Sequence, residues 1–203
     1  MINPNLKISG YSVVRLSSNH TILPFDCDDD DLNDFLLNSS KDFQEKLLAV
    51  TYVLEDRVAG ETVAFFSLLN DKISAELFES GNQWKKRIRS LFPDPKQLRD
   101  YPSMKIGRLA VSKNYQRKNI GQNILNILKI LFVTENRTGC RFITVDAYRK
   151  SLSFYEKNGF IYFSSKDKDD DTRQMYYDLA NATQSLSAAD IEAIKEAIIP
   201  HSS

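Results

Sequence analysis

Lys105-Ile-Gly-Arg-Leu-Ala-Val-Ser-Lys-Asn-Tyr-Gln-Arg-Lys-Asn-Ile-Gly-Gln122 contains no acidic side chain and changes character twice. Through Val111 it has the composition of a strand, a polar turn follows, and from Ile120 apolar residues recur at helical spacing as Ile120, Ile124, Ile127, Leu128 and Leu131. A helix beginning on such a turn presents unsatisfied amides and the positive end of its dipole, and Arg117 and Lys118 add charge beside them. That combination suits an anionic phosphate group.

The alternation continues on both sides. Gly139 can stop the helix, residues 142–145 read as a buried strand, and residues 151–158 read as a short helix closed by Gly159 as a left-handed cap. Upstream, residues 11–16 form a strand, and residues 31–37 begin a helix whose acidic first turn suits the dipole. A second helical stretch runs through Phe43, Glu45, Lys46 and Leu47. Residues 49–54 and 58–69 are rich in Val, Thr, Tyr and Phe, and the link at 55–60 makes them a hairpin. Residues 160–164 and 174–179 look like a terminal strand pair around the acidic link 166–172. A helix between the strands at 104–111 and 142–147 implies a right-handed parallel crossover. The expected fold is a mixed α/β sandwich, with a mostly antiparallel central sheet, one parallel crossover and flanking helices.

One domain over residues 1–180 accounts for this pattern. Residues 70–102 interrupt it as a helical insertion carrying Trp84, the basic residues Lys85, Lys86, Arg87, Arg89, Lys96 and Arg99, and the Pro93-Asp-Pro95 breaker. Residues 181–203 read as a C-terminal helical extension started by the capping box Ser187-Ala-Ala-Asp190.

Lys+Arg and Asp+Glu balance at 27 each in 203 residues, so no overall field argues for nucleic acid or an anionic membrane. Six aspartates between Asp26 and Asp34, and the acids of 167–171, read as solvated faces. Residues 28–31 lack the alternating ligands and glycine of a calcium loop, so no metal is expected. Cys27 and Cys140 are too few for a disulfide framework or zinc cluster, and without a leader at Met1 a reducing cytoplasm is the expected location. Asn126 and Lys129 break the longest apolar run well short of the ~18 residues of a membrane span.

Two motifs together carry a family resemblance. Arg108-Leu-Ala-Val111 followed by Tyr115-Gln-Arg-Lys-Asn-Ile-Gly121 resembles the acetyl-CoA motif of the GCN5-related N-acetyltransferases (GNAT), and Phe154-Tyr-Glu-Lys-Asn-Gly-Phe160 resembles their C-terminal signature. The resemblance implies that Leu109, Ala110 and Val111 pair with the pantetheine arm of acetyl-CoA. It implies that the turn of Gln116, Arg117, Lys118, Asn119, Ile120, Gly121 and Gln122 holds the pyrophosphate, and that Tyr155 is catalytic, protonating the departing thiolate. A phenol with a pKa of about 10 can supply that proton; the alternative for Tyr155 is packing on the sheet, with Phe154 the more obvious core residue. The family's first glycine is Asn119 here, one of the few other residues that tolerate the left-handed region. Tyr148 and Arg149, where relatives often carry Asn, are weaker contact candidates.

No general base stands out. The 104–111 strand has only Lys105 and Arg108 as charges, Glu61, Glu76 and Glu156 are not singled out by spacing, and His20 and His201 lie isolated near the ends. A baseless enzyme favours an acceptor that deprotonates readily, and an α-amine, with a pKa of about 7.7 to 8.0, does so better than a lysine at about 10.4. Phe25-Asp-Cys-Asp, Asp31-Leu-Asn-Asp-Phe-Leu36, Thr51-Tyr-Val-Leu54 and Ile106-Gly-Arg-Leu-Ala-Val111 look like the GNAT toxins of bacterial type II toxin-antitoxin modules, which acetylate the α-amine of aminoacyl-tRNA. That implies tRNA and an antitoxin as partners, with the 85–99 cations on tRNA phosphates or, alternatively, on a solvated helix face packed by Trp84, Ile88 and Leu91. The expected function is acetyl-CoA-dependent N-acyl transfer to a primary amine, the toxin being a narrower version and a non-catalytic CoA-binding module the alternative; a homodimer is a possible assembly.

Overall fold

The computed structural model describes residues 6–92, 98–134 and 138–182. Among them eight strands, β1 (Lys7–Ile8), β2 (Tyr11–Arg15), β3 (Val50–Asp56), β4 (Glu61–Ser74), β5 (Asp100–Val111), β6 (Phe142–Tyr148), β7 (Ile161–Tyr162) and β8 (Thr172–Asp178), hydrogen-bond in the order β1-β2-β3-β4-β5-β6-β8-β7. The sheet is mixed with one parallel pair, and the neighbours β5 and β6 are joined by a helical crossover, which is the expected class. The helices are α1 (Asp30–Asp34), α2 (Ser40–Glu45), α3 (Gly81–Arg87), α4 (Ile120–Thr134) and α5 (Leu152–Lys157). The Ser187 capping box and the Pro93-Asp-Pro95 breaker lie outside the described residues. By its contacts the chain divides into two compact units, one of residues 1–69, 106–136 and 180–203 and one of residues 70–105 and 137–179.

In the first unit β3 and β4 form the expected hairpin, paired from Val50↔Leu68 to Asp56↔Glu61 with a register shift between Leu54 and Glu55. Asp56 builds the turn, its Oδ1 accepting from the Val58 and Ala59 amides at 3.0 Å each. α1 and α2, which the sequence separates, are joined by a π-helical turn at Phe35–Ser39, started where Asp29 caps the Leu32 amide (3.1 Å). This path buries Leu32, Phe35 and Leu36 against Leu16, Phe25, Val53, Phe65 and Ala110. The short β1, too brief for a periodicity signal, precedes β2 through a turn at Ser9 and Gly10. α4 buries more than one face: beyond the expected stripe, Leu125, Lys129 and Ile130 are also buried. Burial pushes the Lys129 ammonium pKa down to about 8.

In the second unit β6 and β8 pair over their whole lengths, from Phe142↔Asp178 to Tyr148↔Thr172. Ile73, Phe78, Trp84, Ile88, Tyr101, Phe142, Phe163 and Tyr176 form its core. Ser80 caps α3 through the Gln83 amide (3.2 Å), so Trp84 and Ile88 fall on the inward face. β5 starts at Asp100 rather than after the Pro102 break: Pro102 offers only a carbonyl, and that carbonyl accepts from the Arg141 amide at 3.3 Å.

The end of α5 is a two-bond cap. Phe160 N–H donates to the Tyr155 carbonyl (3.0 Å), Gly159 N–H donates to the Glu156 carbonyl (2.9 Å), and Gly159 has φ 81°. This is a Schellman motif, completed by the Tyr155 and Phe160 rings at 5.3 Å between centroids. A Cβ on Gly159 would also stand 3.1 Å from the Tyr177 ring. Gly159→Ala is therefore expected to lower stability by about 1–2 kcal/mol in denaturant titration. Gly139→Ala, whose added methyl meets nothing within 4 Å, is expected to leave it nearly unchanged.

Candidate functional site

The anion turn belongs to the first unit. β5 is tied down as it ends, Ser112 N–H donating to the Val63 carbonyl (2.8 Å) and Lys113 N–H to the Asp26 carbonyl (2.9 Å). A single 3-10 turn at Lys113–Tyr115 follows and buries the Tyr115 ring edge-on against Tyr11, 5.7 Å between centroids. The Tyr115 hydroxyl donates to Asp56 Oδ2 at 3.4 Å; burial first, then the Asp56 and Glu61 carboxylates, raise its pKa.

Residues 116–119 are exposed, and Ile120 is buried where α4 begins. Arg117 and Asn119 lie in the left-handed region at φ 62° and 59°, with Lys118 between them at negative φ. Alternation of this kind makes a backbone nest whose amides converge on an anion. Asn is one of the few non-glycine residues that enter this region at little cost. The left-handed Arg117 is not foreshadowed by its residue type, and such strain is typical of functional turns. The Asn119 carbonyl accepts from Asn123 N–H (2.9 Å), leaving the amides of Ile120, Gly121 and Gln122 ahead of the helix's own ladder. No acidic residue occupies that first turn. Asn123 Nδ2 donates to Ser9 Oγ (2.9 Å), Gln116 Nε2 to the Val111 carbonyl (3.3 Å), and Lys118 Nζ lies 4.8 Å from the Tyr115 ring centre. Residues 116–122 run from the exposed turn into the first turn of α4, with the Gln116 and Asn123 side chains hydrogen-bonded on either side.

On the strand side Ala110 is buried among the core, while Leu109 and Val111 are half-buried. A Cβ on Gly107 would meet Leu69 Cδ2 at 2.5 Å. Arg108 lays its guanidinium 4.7 Å above the Phe35 ring, with Nε 3.8 Å from Asp31 Oδ2. Phe35 opens the π-turn, so this stacking joins β5 to the helical path.

Tyr155 lies in the second unit. It is 5% exposed and packs between Phe154 and Phe160 at 5.1 and 5.3 Å, while Phe154 is only half-buried. The core position thus goes to Tyr155 rather than Phe154, because the Schellman cap turns Phe160 back onto its ring. Burial pushes the phenol pKa well above its ordinary value, so the group stays protonated at neutral pH. Among the described residues none hydrogen-bonds the Tyr155 hydroxyl. Arg149 is engaged elsewhere, its amide and side chain holding the carbonyls of Asp171 (3.3 Å) and Lys168 (2.5 Å).

The carboxylates considered as bases have other partners or stand open. Glu156 accepts from the Tyr162 hydroxyl (2.8 Å), Glu61 faces Tyr115, and Glu76 is exposed. Lys105 pairs with Asp146 at 2.5 Å. Among the described residues no three His, Cys, Asp or Glu side chains are placed to hold a metal ion. No helix among them is long and apolar enough to cross a membrane.

The aspartates of the first run differ from a solvated face. Asp29 caps α1, and Asp26 accepts from the Asp28 amide (3.0 Å), Asn33 Nδ2 (3.1 Å) and Lys113 Nζ (2.5 Å). These hydrogen bonds, with Lys113 first, hold the Asp26 pKa down at about 2 from its ordinary 3.8. In the basic segment Arg87 turns inward, donating to the Phe163 (3.0 Å) and Tyr162 (2.7 Å) carbonyls, whereas Lys85, Lys86 and Arg99 are exposed.

Residues 96–179 match the family model of the acetyltransferase (GNAT) domain. No curated protein sequence matches the chain. Among solved structures the fold resembles a tyrosine-to-phenylalanine mutant of KacT, with TM-score 0.67 and 21% identity over 86% of this chain and 98% of that one. It also resembles AtaTR bound with acetyl-CoA (TM-score 0.65, 17% identity, 84% and 95% coverage). AtaT complexed with acetyl-methionyl-tRNAfMet is similar to the same degree (TM-score 0.64, 18% identity, 84% and 95% coverage). The family match spans under half of the chain, and these solved structures share its fold.

Proposed function

We propose that this chain is a GNAT-type, acetyl-CoA-dependent N-acetyltransferase in which a primary amine attacks the thioester directly. The observation that carries the reading is Tyr155, its ring packed between Phe154 and Phe160, its phenol kept protonated by burial of the residue, and its hydroxyl hydrogen-bonded to none of the described residues. The amide cradle of 116–122 binds the pyrophosphate of the donor, and the backbone of Leu109, Ala110 and Val111 aligns its pantetheine arm. The amine lone pair adds to the thioester carbonyl carbon to give a tetrahedral intermediate. The nitrogen gives up its extra proton to water, the C–S bond breaks, and Tyr155 donates its proton to the sulfur to release CoA as the thiol. Bulk water restores the phenol proton.

A narrower reading has its own support. The carboxylates considered as bases are engaged or exposed, which favours an acceptor that deprotonates readily near neutral pH, and an α-amine, with a pKa of about 7.7 to 8.0, does so far better than a lysine at about 10.4. AtaT, on the same fold, is complexed with an acetylated aminoacyl-tRNA. We therefore read the acceptor as aminoacyl-tRNA, with the exposed Lys85 and Lys86 on its phosphates, an antitoxin as protein partner and the cytoplasm as the place of action. The test compares charged tRNA, uncharged tRNA and free amines, with mass spectrometry of the product. Acetylation confined to free amines would remove the toxin version and leave the acetyltransferase. Lys85→Glu with Lys86→Glu is expected to raise KM for charged tRNA about tenfold at ~0.1 M salt, with KM for acetyl-CoA unchanged.

A further inference from the structure

We infer that Asp26 and Lys113 are positioning residues that latch the acidic segment onto the start of the anion turn and thereby set the affinity for acetyl-CoA. The inference rests on the reading of the 116–122 cradle as the pyrophosphate site. Its ground is a set of bonds made by residues that sequence pattern assigns to a solvated run and to a turn.

Residues 23–26 form a strap alongside the ends of β4 and β5. Thr62 Oγ1 donates to the Leu23 carbonyl (2.9 Å) and Thr62 N–H to the Pro24 carbonyl (3.0 Å). At the far end Lys113 N–H donates to the Asp26 carbonyl (2.9 Å), two residues beyond the last strand residue, Val111. The side chains repeat the connection: Lys113 Nζ donates to Asp26 Oδ2 at 2.5 Å and sits 3.6 Å from Asp28 Oδ1. Asp26 is itself immobilised through Oδ1 by the Asp28 amide and by Asn33 Nδ2, and Asn33 Oδ1 accepts from Cys27 N–H at 3.0 Å. The strap, the cap of α1 and the turn thus form one hydrogen-bonded unit.

This arrangement has a consequence of definite sign. Lys113 is the first cation of the turn, and a phosphate ligand would be its simplest role. Here its ammonium is instead consumed by two carboxylates, which raise its pKa while it holds the Asp26 pKa low, so the pair stays ionised across the physiological range. The cation serves to fix where the turn begins, and amides placed in advance bind an anion better than amides that must be ordered on binding. If Lys113 were a direct phosphate ligand competing with Asp26, removing the Asp26 charge would release it and tighten binding.

The experiment is calorimetric titration of the full chain and its variants with acetyl-CoA, together with steady-state kinetics in which acetyl-CoA and the acceptor are each varied. Asp26→Asn is expected to weaken acetyl-CoA binding about fivefold and raise its KM equally, with kcat and the acceptor KM unchanged; exposed ion pairs have effects of this size. Lys113→Met, which keeps the backbone bond to Asp26, is expected to weaken binding about twofold to threefold, and the double variant no more than Asp26→Asn alone. Lys113→Met also serves should Asp26→Asn fail to fold. Tighter binding by Asp26→Asn, or unchanged binding by both variants alongside a binding parent, overturns the latch. A folded parent that does not bind acetyl-CoA overturns the reading on which it rests.

Discussion

Tyr155→Phe is expected to keep the fold and its thermal midpoint while lowering kcat by about two orders of magnitude or more. The ring is what the structure uses: it packs on Phe154 and Phe160, and the Tyr155 carbonyl closes the Schellman cap, none of which involves the hydroxyl. Because no described residue hydrogen-bonds that hydroxyl, its removal leaves no orphaned partner in the protein. The acetyl-CoA KM is therefore expected to move little, since the thiolate forms only late in the reaction and the phenol proton is used in the transition state. Tyr155→Ala is a poor substitute as a test. It excavates the α5 packing and is expected to cost about 3–5 kcal/mol, so loss of activity would report unfolding. Steady-state kinetics of the phenylalanine variant, with a melting curve beside them, separate the two roles. An unchanged kcat would take Tyr155 out of the chemistry.

Gln122→Glu is expected to push stability and binding in opposite directions. Gln122 is the third residue of α4 and exposed, and a carboxylate there meets the positive end of the helix, a gain of about 0.3–1 kcal/mol. The same carboxylate stands among the amides proposed to face the pyrophosphate. Like charges about 4–6 Å apart at an effective dielectric near 20 repel by about 3–4 kcal/mol, and solvent screening at this exposed turn reduces that to a tenfold to hundredfold loss of acetyl-CoA affinity, roughly. A thermal midpoint that holds or rises while calorimetric affinity falls identifies an anion site. A variant that binds as tightly as its parent would put the phosphates elsewhere.

Much of the sheet was readable because its signals are local. Enrichment in Val, Thr, Tyr and Phe marked β3 and β4, the apolar repeat marked α4, and Gly159 marked the end of α5. What escaped depends on partners distant in sequence. β5 begins at Asp100 despite Pro102, because the Pro102 carbonyl finds Arg141, far along the chain. The π-turn at Phe35–Ser39 merges two helices that periodicity separates, since the extra residue in the turn shifts the apolar phase without breaking the helical path.

The candidate site divides in the same way. The amides of 116–122 are a property of one short segment and could be read from it, and Asn119 was the expected occupant of a left-handed position. The burial of Tyr155 rather than Phe154 follows from the cap geometry, where one residue of helical phase decides which ring faces inward. Asp26 looked like one aspartate among six, and its distinction is the bond to Lys113, 87 residues away. Charge runs hide such assignments, because composition cannot tell a latched carboxylate from its solvated neighbours.

The most direct measurement is release of the CoA thiol from acetyl-CoA by the full chain, followed with a thiol reagent as a function of added primary amine and of aminoacyl-tRNA. The expected result is release that depends on the amine, saturates in both substrates and matches acetylated product mole for mole. A folded chain that binds acetyl-CoA yet releases no thiol with any amine would contradict the acetyltransferase and leave a CoA-binding module in its place.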